Sequence, residues 1–133
     1  LAFEIPVLDD RLESTSMRAF LDTPLWTRTN AEHSWAAYLG GLHGDVPAFA
    51  APARAHDLSG LPPTLIQACE FDPMRDEAIT FALRLLEAEV PTELHVYPGT
   101  FHGSSGVVPQ AAISVSMKQH RNAAIARALR VAG

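Results

Sequence analysis

Short β-favouring segments alternate with helical segments along the whole 133-residue chain. Residues 1–8 form an apolar segment typical of a buried strand, and two further strand-like segments follow at 64–69 and 93–97. Helical or loop-like stretches separate them, and such crossover connections make neighbouring strands parallel. We therefore predict an α/β fold in which about three parallel strands are flanked by helices.

Two helices are predicted between the first and second strands. Residues 14–39 carry apolar side chains at helical spacing and are interrupted at Thr23-Pro24. Asn30 is the expected N-cap of the second helix, and Gly40-Gly41 is expected to end it. Apolar residues of these helices predict a buried face: Phe20, Leu21, Trp26, Trp35 and Tyr38.

Two more helices are predicted after the second strand. Asp72-Pro73 is typical of a helix start, and the following apolar residues indicate a buried face made of Ile79, Leu83 and Leu86, with Ala82 beside them. The alanine-rich segment 109–131 predicts a long final helix.

Charge, hydropathy and cysteine content exclude several classes of protein. Ten basic and fifteen acidic residues give a net charge of −5, which disfavours nucleic acid as a partner. Charged residues and prolines interrupt every apolar stretch, so no membrane span is predicted. Cys69 is the only cysteine, and we interpret it as a buried core residue. A single cysteine favours a reducing compartment, so we expect a cytoplasmic location.

Asp72 and His102 each follow the end of a predicted strand. Because the carboxyl ends of parallel strands share one edge of the sheet, we expect the two side chains to meet there. A carboxylate that orients an imidazole makes it a general base able to activate a serine hydroxyl. Each residue also has a structural interpretation, since Asp72 could cap a helix and His102 could bind loop backbone.

Four motifs give this pair a context: Pro52-Ala53-Arg54-Ala55, Asp57-Leu58-Ser59-Gly60-Leu61-Pro62-Pro63, Asp72-Pro73-Met74-Arg75-Asp76-Glu77 and Tyr97-Pro98-Gly99-Thr100-Phe101-His102-Gly103. In order and spacing they resemble motifs of the hormone-sensitive-lipase-like esterases, which have the α/β-hydrolase fold. The resemblance implies an ester hydrolase in which Asp72 is the triad acid and His102 the base. It implies no metal or organic cofactor. Arg75, Asp76 and Glu77 are interpreted as a solvated, self-paired helix start.

The serine elbow and the oxyanion loop of that family have no counterpart in the sequence. Gly103-Ser104-Ser105-Gly106 lacks the elbow spacing, and His43-Gly44 lacks the glycines of the oxyanion loop. Since the sequence also opens directly into a strand, we expect it to be the C-terminal portion of a larger hydrolase and to be inactive alone. We divide it into a first strand (1–10), a helical cap-like segment (11–50) and a core portion with the acid and base (51–133).

In the resembled family the segment after the first strand covers the active site, which makes Phe20 and Trp26 candidate substrate-binding residues. A small ester and the missing N-terminal half are the expected partners. The remaining histidines show no metal-ligand spacing: His33, His43, His56, His95 and His120. The alternative function is a non-catalytic association module, in which the apolar edge of the first strand pairs with another chain or forms a homodimer.

Overall fold

Three strands and five α-helices alternate in the part of the chain that our computed structural model describes, residues 1–42 and 44–130. They are β1 (Ala2–Glu4), α1 (Thr15–Ala19), α2 (Arg28–Leu39), β2 (Thr64–Phe71), α3 (Arg75–Glu87), β3 (Thr92–Phe101), α4 (Ser104–Val107) and α5 (Ala112–Arg130). A single 3₁₀ turn, Pro52–Arg54, precedes β2. His43 and residues 131–133, which include the predicted end of the last helix, lie outside the described residues.

The three strands form one parallel sheet in the order β1-β2-β3. Leu65 of β2 pairs with Ala2 on one side and with Glu93 on the other. Residues 64–69 of β2 are all buried, as expected for a central parallel strand covered on both faces. The predicted α/β fold is confirmed.

Helix α3 packs on one face of this sheet, but of the predicted face only Ala82 is fully buried in the core, and Ile79 is half-buried. Leu83 and Leu86 are 53% and 52% exposed. The buried side chains of α3 in the main core are Ala78, Phe81, Ala82 and Leu85, which cluster with Ile66 and Ala68 of β2 and with Leu8. Two neighbouring stripes of this helix are apolar, so periodicity alone does not identify which stripe meets the sheet.

All three strands have other limits than the sequence predicts, and β2 extends two residues further, to Phe71. β1 ends at Glu4, because Ile5 adopts a φ of 48° and Pro6 has no N–H to donate. β3 continues through Pro98 to Phe101. It is the outer strand of the described sheet, where a proline is tolerated because one strand edge needs no hydrogen-bonding partner.

The helical segment before β2 is capped at both ends of α2. Thr27 is the N-cap, and Asn30, the predicted cap, completes a capping box three residues later. Gly40 ends α2 in the left-handed conformation, as predicted. Trp35 is buried, but Leu21 and Tyr38 are 59% and 66% exposed, so the expected common buried face is wrong for those two.

The predicted final helix is divided into α4 and α5. Val108 and Pro109 lie in the bend and turn between them, and α5 begins at Ala112. Of the described helices, none is both long enough and apolar enough to cross a membrane.

Candidate active site

Asp72 and His102 meet at the carboxyl edge of the sheet. Phe71 and Phe101, the last residues of β2 and β3, are paired in register, so the residue after each strand emerges at the same place. The Nδ1 atom of His102 lies 2.9 Å from Oδ2 of Asp72, to which it donates a hydrogen bond. The juxtaposition expected from the strand ends is therefore present.

The Asp72 carboxylate is held from two sides. Its side chain is 1% exposed, and Oδ1 accepts the backbone N–H of Met74 at 2.9 Å. The backbone carbonyl of Asp72 accepts the N–H of Arg75, the first residue of α3. Met74, not Asp72, is the N-cap of α3. The carboxylate therefore closes the turn before the helix with one oxygen and leaves the other for His102.

Trp26 covers one face of the His102 ring. The ring centroids are 5.1 Å apart and the ring planes are inclined by 23°. The side chain of His102 is only 16% exposed. Its second ring nitrogen, Nε2, makes no hydrogen bond to the described residues. The imidazole thus has one nitrogen bound to a carboxylate, one nitrogen available, and one face covered by an indole.

Phe20, the other candidate substrate-binding residue, lies beside the turn that carries Asp72. Its ring meets that of Phe71 edge to face at 6.2 Å, and the guanidinium of Arg75 lies over it at 5.2 Å. Trp26, in contrast, lines an open, mostly apolar groove of about 350 Å³. The other residues of this groove are Val7, Ser34, Trp35, Tyr38, Phe49, Ala50 and Pro52. The two candidates therefore occupy different positions around the pair.

Helix α1 is joined to the start of α3 by a reciprocal set of hydrogen bonds. The N–H of Ser16 donates to Asp76 at 2.7 Å, and the N–H of Asp76 is 3.1 Å from Oγ of Ser16. The Ser16 hydroxyl itself donates to the carbonyl of Pro73. Although burial opposes it, hydrogen bonds from Arg75 and Ser16 hold the pKa of Asp76 below its usual value. The cap-like segment is thus fixed next to Asp72.

Glu77 is buried, which corrects the interpretation of Arg75–Glu77 as a solvated helix start. It is 5% exposed, and its Oε1 accepts the backbone N–H groups of Leu8 at 2.7 Å and Asp9 at 3.3 Å. Burial raises its pKa to about 7, with the nearby carboxylates of Asp9 and Asp72 adding to the effect. Sequence reasoning missed this residue because a glutamate in the first turn of a helix is ordinarily exposed.

The sequence matches the family described as alpha/beta hydrolase fold over residues 2–105. The chain belongs to this family. It is 40% identical over 98 residues to carboxylesterase NlhH of Mycobacterium tuberculosis, an alignment that covers 68% of this chain and 30% of the relative. The resemblance to hormone-sensitive-lipase-like esterases, made from four motifs, is confirmed by this match and by the solved structures.

Two solved esterase structures superpose closely on this chain. A bacterial heroin esterase is 53% identical with a TM-score of 0.92, and the match covers 95% of this chain and 41% of that one. Esterase LipW from Mycobacterium marinum is 38% identical with a TM-score of 0.91, covering 96% of this chain and 40% of that one. The chain therefore spans less than half the length of these hydrolases.

Gly103, next to His102, has a left-handed backbone conformation that favours glycine. Its φ is 73°, and an added Cβ would lie 3.4 Å from Cδ1 of Leu25. Gly103→Ala is expected to lower stability by about 1 kcal/mol, because a left-handed conformation strains any residue with a Cβ. Thermal denaturation measures this against Gly106→Ala, whose position in α4 is open and should tolerate the change. Equal melting temperatures for the two variants would contradict the strain expected at position 103.

Cys69 is fully buried within β2, as predicted. Burial raises the pKa of its thiol, which disfavours the reactive thiolate. Within residues 1–42 and 44–130, no group of three or more histidine, cysteine, aspartate or glutamate side chains is arranged to hold a metal ion.

Proposed function

We propose that this chain is the C-terminal part of a longer carboxylic ester hydrolase, called the complete protein below. The observation that carries the proposal is the hydrogen bond between the buried Asp72 carboxylate and Nδ1 of His102, with Nε2 free of other described partners. Membership of the alpha/beta hydrolase family and the carboxylesterase and esterase relatives support it. We assign Asp72 as the acid and His102 as the base of a catalytic triad whose serine lies outside this chain.

In this mechanism Nε2 of His102 accepts the proton of the serine hydroxyl as its oxygen attacks the ester carbonyl. Asp72 keeps the ring in the Nδ1–H tautomer and stabilises the imidazolium that forms. The imidazolium then gives its proton to the departing alkoxide, so that an alcohol leaves and an acyl-enzyme remains. Water, deprotonated by the same nitrogen, hydrolyses the acyl-enzyme. Backbone N–H groups outside this chain stabilise the oxyanion.

For substrate binding we propose small or medium acyl esters. The groove of about 350 Å³ beside Trp26 is lined largely by apolar and aromatic side chains and suits the apolar part of such an ester. Trp26 is proposed to border both the groove and the base. Phe20, packed on Phe71 beside Asp72, is proposed to lie at the rim on the acid side.

The expected result that tests this function is esterase activity in the complete protein and background activity in this chain alone. Hydrolysis of p-nitrophenyl acetate, followed by release of p-nitrophenol, measures both. Mixing this chain with the separately produced upstream segment should restore activity if the two parts associate. An inactive complete protein with an intact upstream serine elbow would contradict the proposal.

The alternative, an association module, depends on the free edge of β1. In the described sheet β1 pairs only with β2, which leaves its other edge available for a second strand. It predicts self-association of this chain, including a homodimer, and no ester hydrolysis by the complete protein. Activity and sizing together distinguish the two functions. The cytoplasmic location stays a prediction.

A further inference from the structure

The backbone before Trp26 adopts a strained turn. The N–H of Trp26 donates to the carbonyl of Pro24 at 2.8 Å, and the central residue, Leu25, has a φ of 65°. Three-residue turns with a positive φ at the centre are rare for residues other than glycine. The hydroxyl of Thr23 donates to the carbonyl of Trp26 at 2.6 Å and closes the turn from the other side. Such strain persists only where surrounding contacts maintain it, and it is concentrated at functional sites.

The turn places Leu25 and Trp26 against Gly103 and His102, the proposed base. The Trp26 indole stacks on the imidazole of His102, and the Leu25 side chain lies against Gly103. Trp26 also packs on a buried cluster that contains Met74, whose N–H binds the Asp72 carboxylate. The indole is therefore held between this cluster and the His102 ring.

We propose that Trp26 is a positioning residue for His102, a role that rests on the proposed function. The hydrogen bond to Asp72 fixes one nitrogen of the imidazole, but the ring can still tilt about that contact. The stacked indole restricts this tilt, so that Nε2 keeps one direction toward the serine hydroxyl. A general base must lie within hydrogen-bond reach of the proton that it accepts.

Trp26 could position His102 by stacking or through a hydrogen bond of its indole N–H, and substitutions separate these two causes. Nε1 of Trp26 is buried and has no acceptor among the described residues. Phenylalanine would remove this N–H and one ring of the indole but keep an aromatic face against His102, whereas leucine would remove the aromatic face as well. The pair of variants therefore isolates the contribution of the stack.

The experiment compares kcat and KM of the complete protein and its Trp26→Phe and Trp26→Leu variants with p-nitrophenyl acetate. We expect Trp26→Leu to lower kcat by about 10-fold, since misplacing a catalytic group slows the chemical step, and to raise KM by a smaller factor, since Trp26 also lines the groove. Trp26→Phe should restore kcat to within about threefold of the parent. The initial burst of p-nitrophenol normalises each rate to the concentration of active sites.

Leu39→Ala is the matched control. Leu39 is a partly buried residue of the same segment that packs against the buried cluster of Trp35, Val46 and Ala51, and it is not among the residues that line the groove. We expect this variant to keep the parent kcat per active site. Loss of kcat equal to that of Trp26→Leu would assign the effect to the segment as a whole and overturn the proposal.

Proton NMR of histidine-labelled protein measures the stack without turnover. The Hε1 resonance of His102, assigned from a His102→Gln variant, should move downfield in Trp26→Leu, because the ring current of the indole is lost, and should stay in place in Leu39→Ala. A parent kcat in Trp26→Leu, a change in KM alone, or a Phe variant as slow as the Leu variant would each overturn the positioning role. Absence of ester hydrolysis in the parent itself would overturn the proposed function.

Discussion

Asp72→Asn in the complete protein is expected to lower kcat by about 10,000-fold, the size of effect seen when a triad acid becomes its amide. The structure gives the reason. The N–H of Met74 selects the amide oxygen at the Oδ1 position, which turns the amide NH₂ toward Nδ1 of His102. That nitrogen must then accept, so the proton moves to Nε2, the atom that has to take the proton from serine.

Steady-state hydrolysis of p-nitrophenyl acetate and circular dichroism test this prediction together. His102→Gln should lose a similar factor, and the double variant should lose little more, because the two residues act as a unit. Asp57→Asn is the matched control, since Asp57 only accepts the N–H of Ser59 in an exposed turn. A folded Asp72→Asn variant that keeps more than about a tenth of the parent kcat would refute the assigned role.

Relative to the parent, Glu77→Gln is expected to stabilise the complete protein by about 3 kcal/mol more at pH 8 than at pH 4. This figure is the free-energy equivalent of the difference between a pKa of 4.5 in the unfolded state and about 7 in the folded state. The folded state binds the proton more tightly, so the contribution of Glu77 is fully present below pH 4.5 and is lost as the pH rises through 7. Glutamine does not titrate, and its oxygen can still accept the N–H groups of Leu8 and Asp9.

Chemical denaturation of the parent and the variant at several pH values between 4 and 8 measures this difference. Asp76→Asn is the control one residue away. Because the pKa of Asp76 is lowered, its contribution is present above its unfolded value of 3.8 and is lost as the pH falls, so Asp76→Asn should destabilise at neutral pH. A Glu77→Gln effect that does not change between pH 4 and 8 would contradict the assigned burial.

The architecture and the central pair were predictable because they depend on local signals. Strand ends can be identified from the sequence, and parallel pairing then places Asp72 and His102 side by side. The buried face of α3 was not, since its two apolar stripes differ only in which one meets β2. Glu77 was missed because its burial depends on Leu8, 69 positions away in the chain.

The position of Trp26 against His102 also lacks a sequence signal. It depends on the positive φ of Leu25, and leucine gives no indication of that conformation, whereas glycine would. Trp26 was nevertheless a candidate from the family resemblance, as a substrate-binding residue. The geometry adds a contact with the proposed base, which pattern analysis could not provide.

The reciprocal hydrogen bonds between Ser16 and Asp76 bear on how substrate range can diversify. They tie the beginning of the cap-like segment to the turn that holds the proposed acid, whereas Tyr38 and Phe49, on the outer wall of the groove, are exposed and take no part in these hydrogen bonds. Inheritable variation and directed evolution can therefore act on the outer wall without disturbing the acid. Libraries aimed at new ester preferences are best concentrated at those two positions.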